Sequence, residues 1–209
     1  MTTVLLTGFE PFAGDAVNPS DDAVRIVAER WSGPEVLVGD VLPVVFDDAS
    51  ARLRTLIRTH RPHVVIATGL AGGRTDVTPE RVAINLADAR IPDNAGRRPL
   101  DMPVVADGPA AYFSTLPVKA MVRAIRDVGV PASVSYSAGT FVCNHVMYTA
   151  LHEANGARAG FVHVPHRSDA APAGMPSLPL DEIVRALQAA VRAAIATGDD
   201  TAEPGGSLH

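Results

Sequence analysis

The chain has 209 residues, 47% of them hydrophobic and 20% charged, and a formal net charge of −5. This length suits one well-packed domain and is short for two. No basic stripe is present, which argues against a nucleic-acid partner, and no segment approaches the ~20 apolar residues that cross a bilayer. A single cysteine and the lack of a basic region before the first apolar run predict a cytoplasmic protein without an intrachain disulfide.

Apolar and amphipathic segments alternate along the chain. They predict strands over residues 3–7, 36–42, 63–68, 81–86, 132–136 and 159–164, and helices over residues 19–31, 47–60, 117–128, 143–154 and 180–196. Asn18 can cap the first helix, and Pro19 suits its first position. Residues 91–109 are rich in Pro, Gly and Asp and indicate a long surface loop.

This alternation predicts a three-layer α/β/α sandwich with a largely parallel mixed sheet. No repeat or linker-like break divides the chain. We therefore expect a single domain over residues 1–196, followed by a disordered tail over residues 197–209.

The only cysteine, Cys143, stands where a short turn leads into a predicted helix. Unpaired N–H groups and the dipole at a helix N-terminus favour a thiolate, which is the nucleophilic form of the side chain. A buried structural cysteine explains the same position, because free cysteines are among the most buried residues. The local sequence leaves both interpretations open.

Two further residues suit acid–base chemistry beside that thiol. His163 lies near the end of a predicted strand, one helix and one strand after Cys143, and it can act as a general base there. Glu80 lies between a glycine-rich loop and a strand and can orient the imidazole. A core histidine and a solvated glutamate paired with Arg74 or Arg81 are the structural alternatives. His166, past a proline, is expected at the surface.

Other kinds of site are less well supported by the sequence. Cys143, His163 and His166 could ligate a metal, but the His-x-x-His spacing at a strand end does not match common zinc sites. Ser137 has the setting of a nucleophile elbow except for its first glycine. The glycines at 69, 72 and 73 do not have nucleotide-binding spacing. The sequence therefore favours neither a metal site nor a nucleotide site.

Several stretches, in order along almost the whole chain, resemble the pyroglutamyl peptidase I (pyrrolidone-carboxylate peptidase) family. They are the stretches at residues 7–12, 18–20, 80–85, 88–94, 137–144 and 160–165. Any one of them alone would be a weak signal, whereas their combination and order are specific.

The resemblance implies a cysteine peptidase that removes an N-terminal L-pyroglutamyl residue from peptides through a thioester, without a metal or an organic cofactor. It implies Cys143 as nucleophile, His163 as general base and acid, and Glu80 as the residue that orients the imidazole. The substrate site would contain Phe9, Phe12, Asn18, Leu70 and Val142, with Arg90 near the reacting carbonyl. A homotetramer is also implied.

Two positions depart from the family pattern. Leu70 stands where a glutamine is usual, and Ala13 stands where a glycine is usual. Leu70 leaves two alternatives open: a related thiol amidase for another small cyclic amide, and a catalytically weakened protein that binds pyroglutamyl groups.

Overall fold

Strands and helices alternate along the chain, which is described here by a computed structural model for residues 1–202 and 204–206. The strands are β1 (Thr3–Phe9), β2 (Val36–Leu42), β3 (Val64–Leu70), β4 (Thr78–Pro79), β5 (Val82–Ile84), β6 (Ala111–Phe113), β7 (Arg158–Val164), β8 (His166–Arg167) and β9 (Ser177–Leu178). The helices are α1 (Pro19–Glu29), α2 (Phe46–His60), α3 (Val118–Asp127), α4 (Val142–His152) and α5 (Leu180–Ala196).

The central sheet has the order β2-β1-β3-β7-β4. Its first four strands are parallel, and β4 joins the edge in the antiparallel direction. Helices α1, α3 and α5 cover one face, and helices α2 and α4 cover the other. The predicted sandwich with a largely parallel mixed sheet is thus confirmed.

The alternation of side chains along β1 and β3 builds two separate cores. Val4, Leu6 and Ile66 are buried among the residues that contact α1 and α5. Leu5 and Val65 are buried with the side chains of α2 and α4. Burial on both faces explains why the central parts of these strands, residues 4–6 and 64–67, are continuous apolar runs.

The strand predicted over residues 132–136 is wrong. This segment runs beside residues 77–81, but it pairs with them at only two isolated positions, Ala132 and Ser135. Hydrogen bonds join the two segments at both ends of the contact. Pro79 lies in the middle and has no N–H to donate, so the ladder is interrupted there.

Two polar side chains fix the loop after β1. Asn18 caps α1, since its Oδ1 accepts from the Ser20 backbone N–H at 3.1 Å, as the sequence predicts. Its Nδ2 donates to the Glu10 carbonyl at 3.0 Å. The Ser20 hydroxyl accepts from the Phe9 N–H at 3.0 Å. The start of α1 therefore holds Phe9, at the end of β1, and the loop that follows it.

Residues beyond α5 make contacts with the body of the protein. The Asp200 carboxylate accepts from the backbone N–H groups of Lys119 and Ala120, at 3.0 and 3.1 Å, and lies 3.4 Å from an Arg81 nitrogen. The disorder predicted for residues 197–209 remains a prediction, and it includes residues 203 and 207–209, which lie outside the described residues. Within the described chain, no helix has the length and apolar character needed to cross a membrane.

Candidate active site

Cys143 lies at the start of a helix, as the sequence indicates. Helix α4 begins at Val142, so the Cys143 N–H is among the N-terminal donors without a partner in the helix. The thiol lies over Gly69 at the end of β3: a Cβ built on Gly69 would be 3.0 Å from Cys143 Sγ. The absence of a side chain at residue 69 therefore makes room for the sulfur.

His163 lies on the strand next to Gly69. The register of β3 and β7 places Gly69 directly beside His163, and neighbouring strands are about 4.8 Å apart. The imidazole Nδ1 is 2.7 Å from Glu80 Oε1, and both side chains are buried. The structure thus brings Cys143, His163 and Glu80 to one place on the same edge of the sheet.

Arg74 also reaches Glu80. Its Nη1 donates to Glu80 Oε1 at 2.7 Å and also to the Thr78 hydroxyl. Its Nη2 donates to the Ser137 carbonyl at 3.1 Å. Glu80 is therefore buried and not solvated, and it is paired with Arg74 and with His163 at the same time.

Burial sets the charges of this group. It raises the pKa of the Cys143 thiol to about 12, and the negative charge of Glu80 adds to the effect, so the helix terminus does not produce a resting thiolate. Burial also lowers the pKa of His163. Burial alone would raise the pKa of Glu80, but the hydrogen bond from His163 and the charge of Arg74 outweigh it, so this pKa is lowered.

These directions fix the form of the resting site. Ionised Glu80 can only accept a hydrogen bond, so the proton of the neutral imidazole lies on Nδ1. The Nε2 atom is then the free acceptor on the ring. The site at rest holds a thiol, a neutral imidazole with an available base, and a carboxylate.

A small apolar pocket opens in front of Cys143. Its volume is about 200 Å³. It is lined by Phe9, Phe12, Ala13, Asp15, Val17, Asn18, Val44, Leu70, Gly72, Phe141, Val142 and Cys143. All five residues expected at the substrate site thus border the same pocket as the thiol, although their roles toward a substrate stay predictions.

Arg90 is placed differently. It is exposed and borders a neighbouring cleft with Asp88, Arg98 and Thr140, and it is not among the residues that line the pocket. The Thr140 hydroxyl donates to the Asp88 carbonyl at 2.7 Å, which ties this segment to the turn before Cys143. A role for Arg90 at the reacting carbonyl stays a prediction.

Sequence reasoning missed two side chains that shape the site. Phe141 packs on Phe12 and Phe46, each with ring centroids 5.2 Å away, and forms one wall of the pocket. Asn144 is buried and hydrogen-bonds the backbone at Ile84 and Leu86, which holds that segment against α4. Both flank the cysteine within the family-like stretch at residues 137–144, and that stretch was the available signal.

His166 and Ser137, which suggested other kinds of site, do not line the pocket. Among the residues that the structure describes, no group of three His, Cys, Asp or Glu side chains is arranged to hold a metal. His166 is half-buried in β8 and does not line the pocket. Ser137 is exposed in a turn, where its hydroxyl accepts from the Gly139 N–H at 3.1 Å.

A thiol beside an imidazole that is backed by a buried carboxylate, in front of an apolar pocket, is typical of thiol-dependent hydrolases. The model of the family described as pyroglutamyl peptidase matches residues 2–197. The chain belongs to the pyroglutamyl peptidase family. This confirms the family predicted from the sequence and the enzyme class, a cysteine-type omega-peptidase.

Known proteins and solved structures match this chain over all or nearly all of its length. The pyrrolidone-carboxylate peptidase of Cupriavidus taiwanensis is 53% identical, and that of Escherichia fergusonii is 50% identical, each over 100% of both chains. The crystal structure of pyroglutamyl peptidase I from Bacillus amyloliquefaciens is 45% identical, with a TM-score of 0.93 over 96% of this chain and 100% of that one. The pyrrolidone carboxyl peptidase of Thermococcus litoralis is 39% identical, with a TM-score of 0.93 over 98% and 100%.

Proposed function

We propose that the protein removes an N-terminal L-pyroglutamyl residue from peptides, with Cys143, His163 and Glu80 as its catalytic group. The observation that carries the proposal is the hydrogen bond of Glu80 to His163, on the strand next to Gly69, over which the Cys143 thiol lies at the wall of an apolar pocket. Membership of the family supports the substrate class.

The pocket suits the substrate in size and polarity. A pyroglutamyl ring is small, flat and uncharged, and about 200 Å³ of mainly apolar space can hold it. Phe9 and Phe12 can cover its faces. The amine of the terminal residue is consumed in the lactam, so no charged group is needed to recognise it.

Acylation begins with a proton transfer. The Cys143 proton passes to Nε2 of His163 as Sγ attacks the scissile carbonyl carbon. Glu80 stabilises the imidazolium that forms, as the third member of a triad does. The carbonyl oxygen becomes an oxyanion, and the Cys143 N–H at the start of α4 is a donor for it.

Deacylation restores the site. The proton on His163 moves to the leaving amine as the C–N bond breaks, which releases the shortened peptide and leaves a thioester. Water then gives a proton to His163 and attacks the thioester carbonyl. The C–S bond breaks, free pyroglutamate leaves, and the thiol regains its proton.

Turnover of a pyroglutamyl-arylamide by the wild type and by Cys143→Ser tests the proposal. We expect the wild type to release the arylamine and the variant to lose at least about a thousandfold in kcat/KM with an unchanged Tm. Iodoacetamide should abolish wild-type turnover. Full turnover by Cys143→Ser would refute the mechanism, and binding of pyroglutamyl peptides without any turnover would favour the weakened binding protein.

Leu70 favours one second candidate, a thiol amidase for a different small cyclic amide. Its apolar side chain lines the pocket at the position where the family resemblance leads us to expect a glutamine. Free pyroglutamate separates the two functions, because a pyroglutamyl peptidase should be inhibited competitively and a repurposed pocket should not. A cytoplasmic location and assembly into a homotetramer stay part of the proposal. Light scattering can measure the oligomeric state.

A further inference from the structure

Arg74 holds two parts of the candidate active site at once. One guanidinium nitrogen binds Glu80 Oε1, and the other binds the backbone carbonyl of Ser137. Ser137 belongs to the turn that leads into α4 and Cys143. The side chain therefore links the carboxylate to the segment that carries the nucleophile.

Glu80 depends on few partners. The carboxylate is fully buried, and its Oε2 has no hydrogen-bond partner among the described residues. Its Oε1 is held by His163 and by Arg74, each at 2.7 Å, and the Ser135 side chain also favours the ionised form. Since His163 is neutral at rest, Arg74 supplies the positive charge that compensates this buried anion, whose isolation would be costly.

The same charge acts on the thiol. Arg74 lowers the pKa of Cys143, whereas Glu80 raises it. It also lowers the pKa of His163 and thereby helps to keep Nε2 free. The guanidinium is partly exposed, with 29% of its side-chain surface accessible, so solvent weakens this influence without removing it.

We propose that Arg74 is a positioning residue that fixes the Glu80 carboxylate against His163 and balances its charge, so that the imidazole stays aligned to accept the thiol proton. This role rests on the proposed function of the site. A lysine cannot reproduce it fully, because binding Glu80 and Ser137 together uses two nitrogens of the planar fork.

Arg74→Met and Arg74→Lys separate charge from geometry. Removal of a positive charge makes every proton of the site harder to remove, so in Arg74→Met both limbs of the pH profile of kcat/KM should move up by roughly half to one pH unit. The activity at neutral pH should fall at least about tenfold. In Arg74→Lys both limbs of the profile should stay at their wild-type pH values, and only the maximal kcat/KM should fall.

Alkylation of Cys143 by iodoacetamide as a function of pH gives a readout that needs no substrate. We expect the midpoint of alkylation to rise in Arg74→Met and to stay unchanged in Arg74→Lys. If the wild type releases no arylamine, the proposed function fails, whereas the alkylation profiles still test Arg74.

Arg54→Met is the matched control. Arg54 lies in α2, is 34% exposed and binds Glu153 at 2.8 Å. Glu153 follows the C-terminal end of α4, whereas Cys143 lies at its N-terminal end. Its loss should leave the alkylation midpoint and both limbs unchanged. If Arg74→Met keeps the wild-type limbs and midpoint, or if Arg54→Met moves them equally, the proposed role of Arg74 is wrong.

Discussion

Gly69 shows how one missing side chain allows a site to form. A Cβ at this position would lie 2.9 Å from Phe161 Cζ and 3.0 Å from Cys143 Sγ, closer than such atoms normally approach. The side chains would have to move away, and one of them carries the nucleophile. The glycine is thus required by the close approach of α4 to β3 and not by a turn.

Gly69→Ala should reduce kcat/KM by about a hundredfold, because a small displacement of Sγ spoils the attack geometry. The protein should remain folded, with a Tm that falls by only a few degrees, since the crowded atoms belong to side chains. Arylamide turnover and thermal unfolding measure the two effects. Gly198→Ala, where no atom lies within 4 Å of the added Cβ, is the control and should behave as wild type. Near-normal turnover by Gly69→Ala would contradict this view.

At the scale of elements, two helices obtain their N-terminal caps from distant segments. The residues that precede α2 and α3 provide no capping side chain. Instead, Asp93 accepts from the Phe46 N–H at 3.1 Å, and Asp200 accepts from the first turn of α3. A carboxylate at a helix N-terminus also interacts favourably with the dipole. These caps fasten the 91–109 loop and the segment after α5 to the sandwich.

Asp200→Ala should lower the free energy of unfolding by about 1 kcal/mol, the usual effect of losing a cap. Asp200→Asn keeps an acceptor at the same place and should lose less. Urea unfolding of the three proteins measures this, with arylamide turnover at saturating substrate expected to stay constant. Equal stability of Asp200→Ala and wild type would show that the contact does not stabilise α3.

Across the whole molecule, buried histidines make stability depend on pH. His145 packs against Phe46, and its Nδ1 has no hydrogen-bond partner in the described part of the chain. Burial lowers the pKa of His145 to about 4 from an ordinary 6.5. The unfolded chain therefore binds a proton at a higher pH than the folded one, and stability is lost as the pH falls from about 6.5 toward 4.

This difference in pKa corresponds to roughly 3 kcal/mol of unfolding free energy between those two pH values. His145→Leu removes the titrating group and should flatten the dependence by up to that amount, while the lowered pKa of His163 maintains a residual slope in the same direction. Urea unfolding from pH 7 to pH 4 measures the slope. The exposed His60→Leu serves as control, and an equal change in both variants would rule out the assignment to His145.

Much of the fold could be predicted from the sequence, because the apolar runs of buried strands and the periodicity of amphipathic helices are visible in short segments of the chain. Runs such as residues 64–67 are apolar throughout, and α1 carries its own cap in Asn18. The segment at residues 132–136 was also predicted to be a strand. It does not form a regular strand, because the pairing depends on Pro79 in a segment far away along the chain.

The sequence by itself determined the alternating sandwich and the position of one cysteine at a helix start. Only the tertiary structure decided what that cysteine is at rest. Burial outweighs the helix terminus and raises the pKa of Cys143, so the thiol needs His163 as a base. The pairing of Arg74 with Glu80 was likewise decided by tertiary structure. The effects of charge and burial depend on distances in space. Residues far apart along the chain come within those distances only when the strands have paired.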